Sequence, residues 1–384
     1  MFRIENHMKR YKCITLFLVV LLITFIPINA MAAETTIALK IPEGATKFVS
    51  ENYKDIVEVV KDYKNEFNVS SYDLNNITLG KPYVIYNLDE TQQDEIYYYP
   101  ILNSNSEIIL TLCITGTTEG WGLSISEEMS DELNSINYLS EEFIFYESAD
   151  NIVAENSRGI INLSGKANEK CRVYEAKDFK EKRKIIADAI STFVKTDISK
   201  IKDLDINRKD KYTPSFSEST TTSKICSLHN NKGQGSYANC WAAAVATIVN
   251  YRNGTNITPT AVCDSLGISY NDGGGIGESQ LALSGYDVSY NNLNYYQLPW
   301  SSVTSNLDYK YPIYISAYSS SGDGHAVTVY GYRMIGTSQY VVLWNSGLNG
   351  GVGGTQIVYY YSTGTTFPYS NTTFIWSRSL SCFG

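Results

Sequence analysis

Few side chains in this chain can move a proton near neutral pH, because its 384 residues include only three histidines, His7, His229 and His325. Imidazole is the group suited to that task. His325 sits in the stretch SGDGHAVTVYGY. Gly322 and Gly324 mark a turn there, and Ala326, Val327, Val329 and Tyr330 begin a strand, so His325 is expected at the loop end of a strand, where a side chain can face a cleft. A lone histidine at such a place is also an ordinary surface residue. The partner that gives it chemistry is Cys240, in GQGSYANCWAAAVATIVNYRNG. Asn239 can cap a helix that begins at Cys240, the Ala- and Val-rich run Trp241 to Tyr251 continues it, and Gly254 suits a left-handed exit. A thiol in a helix's first turn meets the positive end of the dipole and unpaired N–H groups, and both favour the thiolate. A protonated His325 nearby would lower the thiol further and leave a nucleophilic ion pair. Without that partner, a cysteine on an Ala-rich helix reads as a buried structural residue.

Two amides complete the constellation. Gln234 lies six positions before Cys240 in a Gly-flanked loop, from which its side chain, with the Cys240 backbone N–H, can form an oxyanion hole. Asn345 ends the alternating segment YVVLWN before Ser346 and Gly347, and an amide there can accept from the imidazole and hold its plane. Each piece is commonplace. The order Gln, Cys-Trp, Gly-His, Trp-Asn in one domain is not.

On these residues the sequence resembles the papain-like cysteine peptidases, in particular the short bacterial secreted branch that includes staphopains. Gln234, placed shortly before Cys240-Trp241, then Gly324-His325-Ala326-Val327, then Trp344-Asn345 carry the resemblance, which covers positions 226–384. It implies that Cys240 is the nucleophile, His325 the general acid and base, Asn345 the orienting residue and Gln234 the oxyanion donor. It also implies an inhibitory prosegment in front. Tyr237-Ala238-Asn239 stands where the plant and lysosomal enzymes have Cys-Gly-Ser or Cys-Gly-Ala. The spacing from Cys240 to His325 and onward to Asn345 makes a shorter domain than theirs, and a tryptophan precedes Asn345 instead of following it.

The elements that position these groups occupy only the back of the chain. Residues 226–384 carry 11 charged side chains, and the longer stretch before them carries the other 60. The expected fold is α+β: a papain-like C-terminal domain over 226–384, its nucleophile helix packed on a twisted antiparallel sheet, preceded by a small mixed α+β prodomain over 33–206. In the prodomain, Glu51 to Phe67 has helical spacing. Runs such as Pro82 to Asn87, Glu95 to Ile101 and Ile108 to Ile114 read as antiparallel strands. Ala176 to Lys195 gives a second amphipathic helix, and no catalytic constellation occurs in this front part. Asn207 to Lys224 has almost no apolar residues, so 207–225 reads as an exposed, cleavable linker. That outline fits a zymogen whose own prodomain inhibits it in cis, and equally a plain two-domain protein.

Positions 1–32 read as a signal peptide, with basic residues Arg3 to Lys12, the apolar run Ile14 to Ile28, and Ala30-Met31-Ala32 before a cut after Ala32. The apolar run is short of the roughly 20 residues a spanning helix needs, so export without stable membrane insertion is expected, to the medium or to the cell wall. The formal charge of −9 offers no surface for nucleic acid. The run Asn271 to Ser279 lacks the lysine of a phosphate loop; its glycines can let an extended peptide pair along the backbone, or form a plain surface loop leading into a helix from Ser279 to Ser284. Asp323 reads as a turn residue or a modifier of His325. No set of Cys and His has zinc-ligand spacing, and no cofactor is expected. One disulfide in each part is compatible with the cysteine positions.

The expected function is therefore that of a secreted cysteine endopeptidase acting on protein or peptide substrates. A peptidoglycan amidase or endopeptidase of the CHAP type, and a non-catalytic surface-binding protein on the same scaffold, are the alternatives.

Overall fold

The computed structural model describes residues 39–163, 195–197 and 221–383, apart from 68, 71–72, 75–76, 88–93, 118–119, 137–141, 149–150 and 157. The expected signal peptide, the helix expected at 176–195 up to its last residue, and the linker up to 220 lie outside the described residues.

The front part opens with helix α1 (Glu43–Asp62), which turns Ala45, Val49, Ile56, Val59 and Val60 inward. It begins well before the expected start at Glu51, directly after Pro42, and ends at Asp62; a run of turns carries the chain on to Phe67, itself buried. Then come strands β1 (Thr78–Leu79), β2 (Tyr86–Asn87), β3 (Ile96–Leu102), β4 (Ile108–Thr117) and β5 (Gly120–Ser126), helix α2 (Ser130–Ile136), and strands β6 (Glu142–Ser148), β7 (Asn151–Asn156), β8 (Gly159–Asn162) and β9 (Thr196–Asp197). The back part comprises β10 (Thr221–Ile225), helices α3 (Cys240–Asn253), α4 (Pro259–Leu266) and α5 (Ile276–Gly285), β11 (Asn292–Asn294), α6 (Trp300–Asp308), β12 (Ile313–Tyr318), β13 (Gly324–Ile335), β14 (Ser338–Asn345), β15 (Gly354–Tyr359), β16 (Thr366–Tyr369) and β17 (Thr372–Ser381). The fold is α+β, as its mixed patterning requires.

The front strands do not form one small sheet of their own. β2 and β6 to β9 make a five-stranded sheet, whereas β1, β3, β4 and β5 continue the sheet of the back part. That larger sheet runs β1-β3-β4-β5-β15-β14-β13-β12-β17-β11, with β10 added to β13 and β16 to β17, and all its pairings are antiparallel. Its joint is the pairing of β5 with β15, where Ser126, Ile125 and Ser124 face Gln356, Ile357 and Val358. Sheet edges left bare invite pairing, and here each part covers the other's edge.

One apolar core crosses this seam. Ile56 and Val59 of α1 belong to the same buried cluster as Tyr330, Val341 and Ile357, and burying each aliphatic side chain of that size contributes about 1.5–3 kcal/mol. Arg333 of β13, 4% exposed, pairs with Asp62 at the end of α1, and Tyr63 donates to the Tyr332 carbonyl at 2.9 Å. The last residues of the expected linker, 221–225, form β10 against residues 331–335, with positions 221–223 still exposed. No helix among the described residues is long and apolar enough to cross a membrane.

Candidate active site

Helix α3 starts at Cys240, and Gly254 ends it with φ of 67°, a left-handed exit that a Cβ would strain. Trp241 to Asn250 are all buried, because the helix is enclosed by β13, α4 and α5. Small Ala and Val side chains permit that approach, and Thr328 of β13 donates to the Ala244 carbonyl at 3.3 Å. Asn239 occupies the cap position, with its carbonyl accepting from Ala243 N, but its buried side chain makes no cap hydrogen bond, unlike the expectation. The first-turn donors are left for the sulfur: backbone N–H groups of Cys240 and Trp241 point at Sγ, and so does that of Ala326. Ala326 follows His325 directly. The fold therefore brings Cys240 and the loop end of β13 together, although they stand far apart in the sequence.

His325 and Asn345 meet because β13 and β14 are adjacent antiparallel strands and the two residues lie at the same end of the pair. Their separation, His325 Nε2 to Asn345 Oδ1, is 2.8 Å, and both side chains are buried. The Gly347 N–H also donates to Asn345 Oδ1, at 3.1 Å, and an amide N–H can only donate to the oxygen. Asn345 Oδ1 is thus the acceptor, His325 carries its proton on Nε2, and Nδ1 is the nitrogen left with a free lone pair.

The ring is walled by aromatics. Tyr369 of β16 stacks on it with centroids 4.2 Å apart and planes 15° from parallel, and Phe374 and Phe367 lie at 5.5 and 6.4 Å. Trp344, the aromatic neighbour of Asn345 in sequence, turns elsewhere and donates to the Lys232 carbonyl at 2.9 Å.

Ionisation runs opposite to the expectation. Burial pulls His325 down from its ordinary 6.5 to about 4, only partly offset by the bond to Asn345, and burial pushes the Cys240 thiol up despite the three N–H groups facing it. The groups around the pair are amides and rings with no charge among them, so the lost hydration of a charge is replaced only in part. In this state thiol and imidazole are both neutral.

Gln234 is held against the segment that follows Asn345. Its N–H donates to the Ser346 carbonyl at 3.0 Å, Ser346 Oγ donates to Oε1 at 3.2 Å, and its Nε2 donates to the Tyr237 carbonyl at 3.3 Å. The four residues singled out by type and spacing thus share one locality: Cys240 beside Ala326, His325 on Asn345, and Gln234 on Ser346.

Other expectations resolve simply. Asp323 accepts from Ser321 Oγ at 2.6 Å and closes its own turn. In the glycine run, a Cβ at Gly274 would overlap the Trp241 indole, whose Nε1 donates to the Asp272 carbonyl at 3.3 Å, so that glycine serves helix packing. The helix after it spans Ile276–Gly285. The described cysteines 113, 226, 240, 263 and 382 are free thiols, so no disulfide forms among them. Sequence reasoning did not single out Gln356 or Tyr369. Gln356 Oε1 accepts from Asn345 Nδ2 at 3.1 Å, and no local signal marks either residue.

Comparison with known proteins falls on the same stretch of the chain. Residues 222–345, which contain all four candidates, match the family described as papain-like cysteine protease AvrRpt2. Extracellular cysteine proteases of two strains of Staphylococcus epidermidis are 24% identical over 137 residues, 35% of this chain and 33% of theirs. The chain thus matches about a third of the length of those relatives. Over that stretch its sequence is similar to that of papain-like cysteine proteases.

Proposed function

We propose that the protein is a secreted cysteine endopeptidase made as a zymogen. The observation that carries this reading is the buried hydrogen bond from His325 Nε2 to Asn345 Oδ1, in a site where Cys240 Sγ faces the N–H of the next residue, Ala326. It leaves Nδ1 as the acceptor for the thiol proton. Cys240 Sγ attacks the scissile carbonyl as its proton passes to His325 Nδ1, and the oxyanion is met by the Cys240 N–H and the Gln234 amide. The imidazolium then protonates the leaving amine and a thioester remains. Water, giving its proton to Nδ1, hydrolyses the thioester and restores the thiol. Asn345 keeps its grip on Nε2 throughout.

In this reading residues 1–32 direct export, 33–206 form the prosegment and a cut within 207–220 begins maturation. The extracellular relatives support secretion. The prosegment acts as an intramolecular inhibitor, and the neutral thiol and imidazole are the resting state that it keeps. The substrates are proteins or peptides, paired along the backbone near the 271–275 loop, and the chemistry of Cys, His and two amides calls for no cofactor.

The test is hydrolysis of casein and of fluorogenic peptides by the secreted protein, before and after limited proteolysis, with Cys240→Ala as control. Cleavage lost in the control is the expected result. Equal cleavage by both proteins would end the proposal, and release of peptidoglycan fragments without casein cleavage would assign the chain to wall amidases instead.

A further inference from the structure

The bond between His325 and Asn345 does not hang on those two residues alone. Asn345 spends its Nδ2 on Gln356 Oε1 at 3.1 Å, and Gln356, 1% exposed, spends its own Nε2 on the carbonyl of Pro368 at 2.9 Å. Pro368 precedes Tyr369 in β16, and Tyr369 lies flat on the imidazole. The path from His325 through Asn345, Gln356, Pro368 and Tyr369 therefore returns to His325. It is a closed ring that joins three strands, β13, β14 and β15, to the β16 hairpin.

We infer that Gln356 and Tyr369 are positioning residues for the imidazole, acting through this ring; the claim rests on the peptidase reading only for its kinetic consequences. Gln356 offers Asn345 an acceptor on one side only, so the amide cannot flip, and a flipped amide would present a donor to His325 Nε2 and force the wrong tautomer. Tyr369 fixes the plane of the ring and keeps water from the His325 to Asn345 bond, which is stronger dry.

A second, independent observation concerns Gly347. Its φ of −88° suits any residue, yet a Cβ there would run into the Tyr369 ring. The stack, not the backbone, therefore demands glycine at that position. Both positioning residues lie outside the matched segment 222–345. The front part touches the ring from outside: Gln356 Nε2 is 3.5 Å from Ser124 Oγ of β5, Tyr98 donates to Asn371 Oδ1 at the hairpin tip at 2.9 Å, and Asn371 Nδ2 donates to the Ile85 carbonyl at 2.8 Å.

The experiment uses the full secreted chain and two readouts: the tautomer of His325 by nitrogen-15 NMR, which needs no activity, and kcat and KM of the processed enzyme. Gln356→Leu, Tyr369→Ala and Gly347→Ala are each expected to mix the Nε2–H tautomer with Nδ1–H. They should lower kcat about 100-fold with little change in KM, as a misplacement of roughly 1 Å does. Tyr369→Phe, which keeps the stack, recovers what Tyr369→Ala loses.

Gln356→Glu guards against variants that merely fail to fold. A buried glutamic acid, protonated, can still accept from Asn345 and donate to Pro368 O, so the variant works at low pH. As it ionises it still accepts from Asn345 but repels the Pro368 carbonyl, so the ring opens at β16 and activity falls on the alkaline side, with a pKa absent from the native profile. An unchanged tautomer in Gln356→Leu and Tyr369→Ala, in proteins of native circular dichroism, overturns the inference. So does a pH profile of Gln356→Glu that superimposes on the native one. A wild-type protein without peptidase activity would fail the functional proposal while the NMR result still decides this one.

Discussion

The site and the front part handle buried polarity in opposite ways. Around Cys240 and His325 the partners are neutral: the amides of Asn345 and Gln356, backbone N–H groups and aromatic rings. The front part instead buries carboxyl groups, one of them against the back part. Glu127 and Glu128, just beyond β5, are pushed up to about 7, chiefly by burial and then by Asp131 and Glu132 respectively, and Asn349 of the back part hydrogen-bonds Glu127. Glu127 and Asp73 border a cavity of about 440 Å³. The contrast teaches that Cys240 and His325 are kept uncharged by neutral surroundings, whereas the front part holds carboxyl groups whose protonation changes near neutral pH.

The largest expected effect separates two thiols, one half-buried and one buried. Cys240→Ala should abolish peptide hydrolysis, a loss of at least about 1,000-fold, while Cys113→Ala, which alters a buried thiol of the front part, should leave turnover intact. Loss of activity in both variants would break the division of labour.

Next comes the seam. Arg333→Ala removes a buried side chain together with its ion pair to Asp62, and urea denaturation should show a loss of about 2 kcal/mol. Asp62→Asn, at an exposed carboxylate, should cost much less, because Glu58 and Asp55 still face the guanidinium. Equal losses would make the two sides of the pair equivalent.

The pH response sharpens the comparison further. The unfolded chain binds a proton at His325 from about pH 6.5 downward, and the folded one only near 4. Stability from this group, about 3 kcal/mol, is therefore present above pH 6.5 and lost as pH falls towards 4. Glu127 and Glu128 behave oppositely: folded, they hold protons up to about 7 that the unfolded chain releases near 4.5, so their contribution is complete below pH 4.5 and lost as pH rises through 7. Melting temperature against pH should accordingly lose its acid-side fall in His325→Gln and its neutral-side fall in Glu127→Gln/Glu128→Gln. Curves that keep both falls would refute the assignment.

The smallest effect is conformational. A Cβ at Gly254 meets no atom within 4 Å, but the residue has φ of 67°, so Gly254→Ala should cost about 1 kcal/mol and leave kcat untouched. Gly347→Ala, with ordinary φ, should do the reverse.

What the sequence disclosed followed from local rules. The start of α3 at Cys240 and its end at Gly254, the place of His325 at the head of β13 and that of Asn345 at the foot of β14 can be read from caps, turns and alternation within a few residues. Gln356 and Tyr369 could not be read that way. Neither stands in a motif, and they reach His325 only because β15 and the β16 hairpin return to it. The charge state was misjudged for a related reason: the dipole and the imidazole are visible in sequence, but the dryness that overrides them depends on the Tyr369 and Phe374 rings. That β3 and β4 continue the sheet of the back part could not be read either, because strand runs such as 96–102 and 108–117 look alike whichever partner completes them.

The pairing of β5 with β15 bears on the proposed maturation. A nick between residues 198 and 220 severs no hydrogen bond of that ladder and none of the Arg333 to Asp62 contact. The two fragments should therefore stay together as a complex, and their parting should obey mass action, with dilution pulling apart what the scissors had only disconnected.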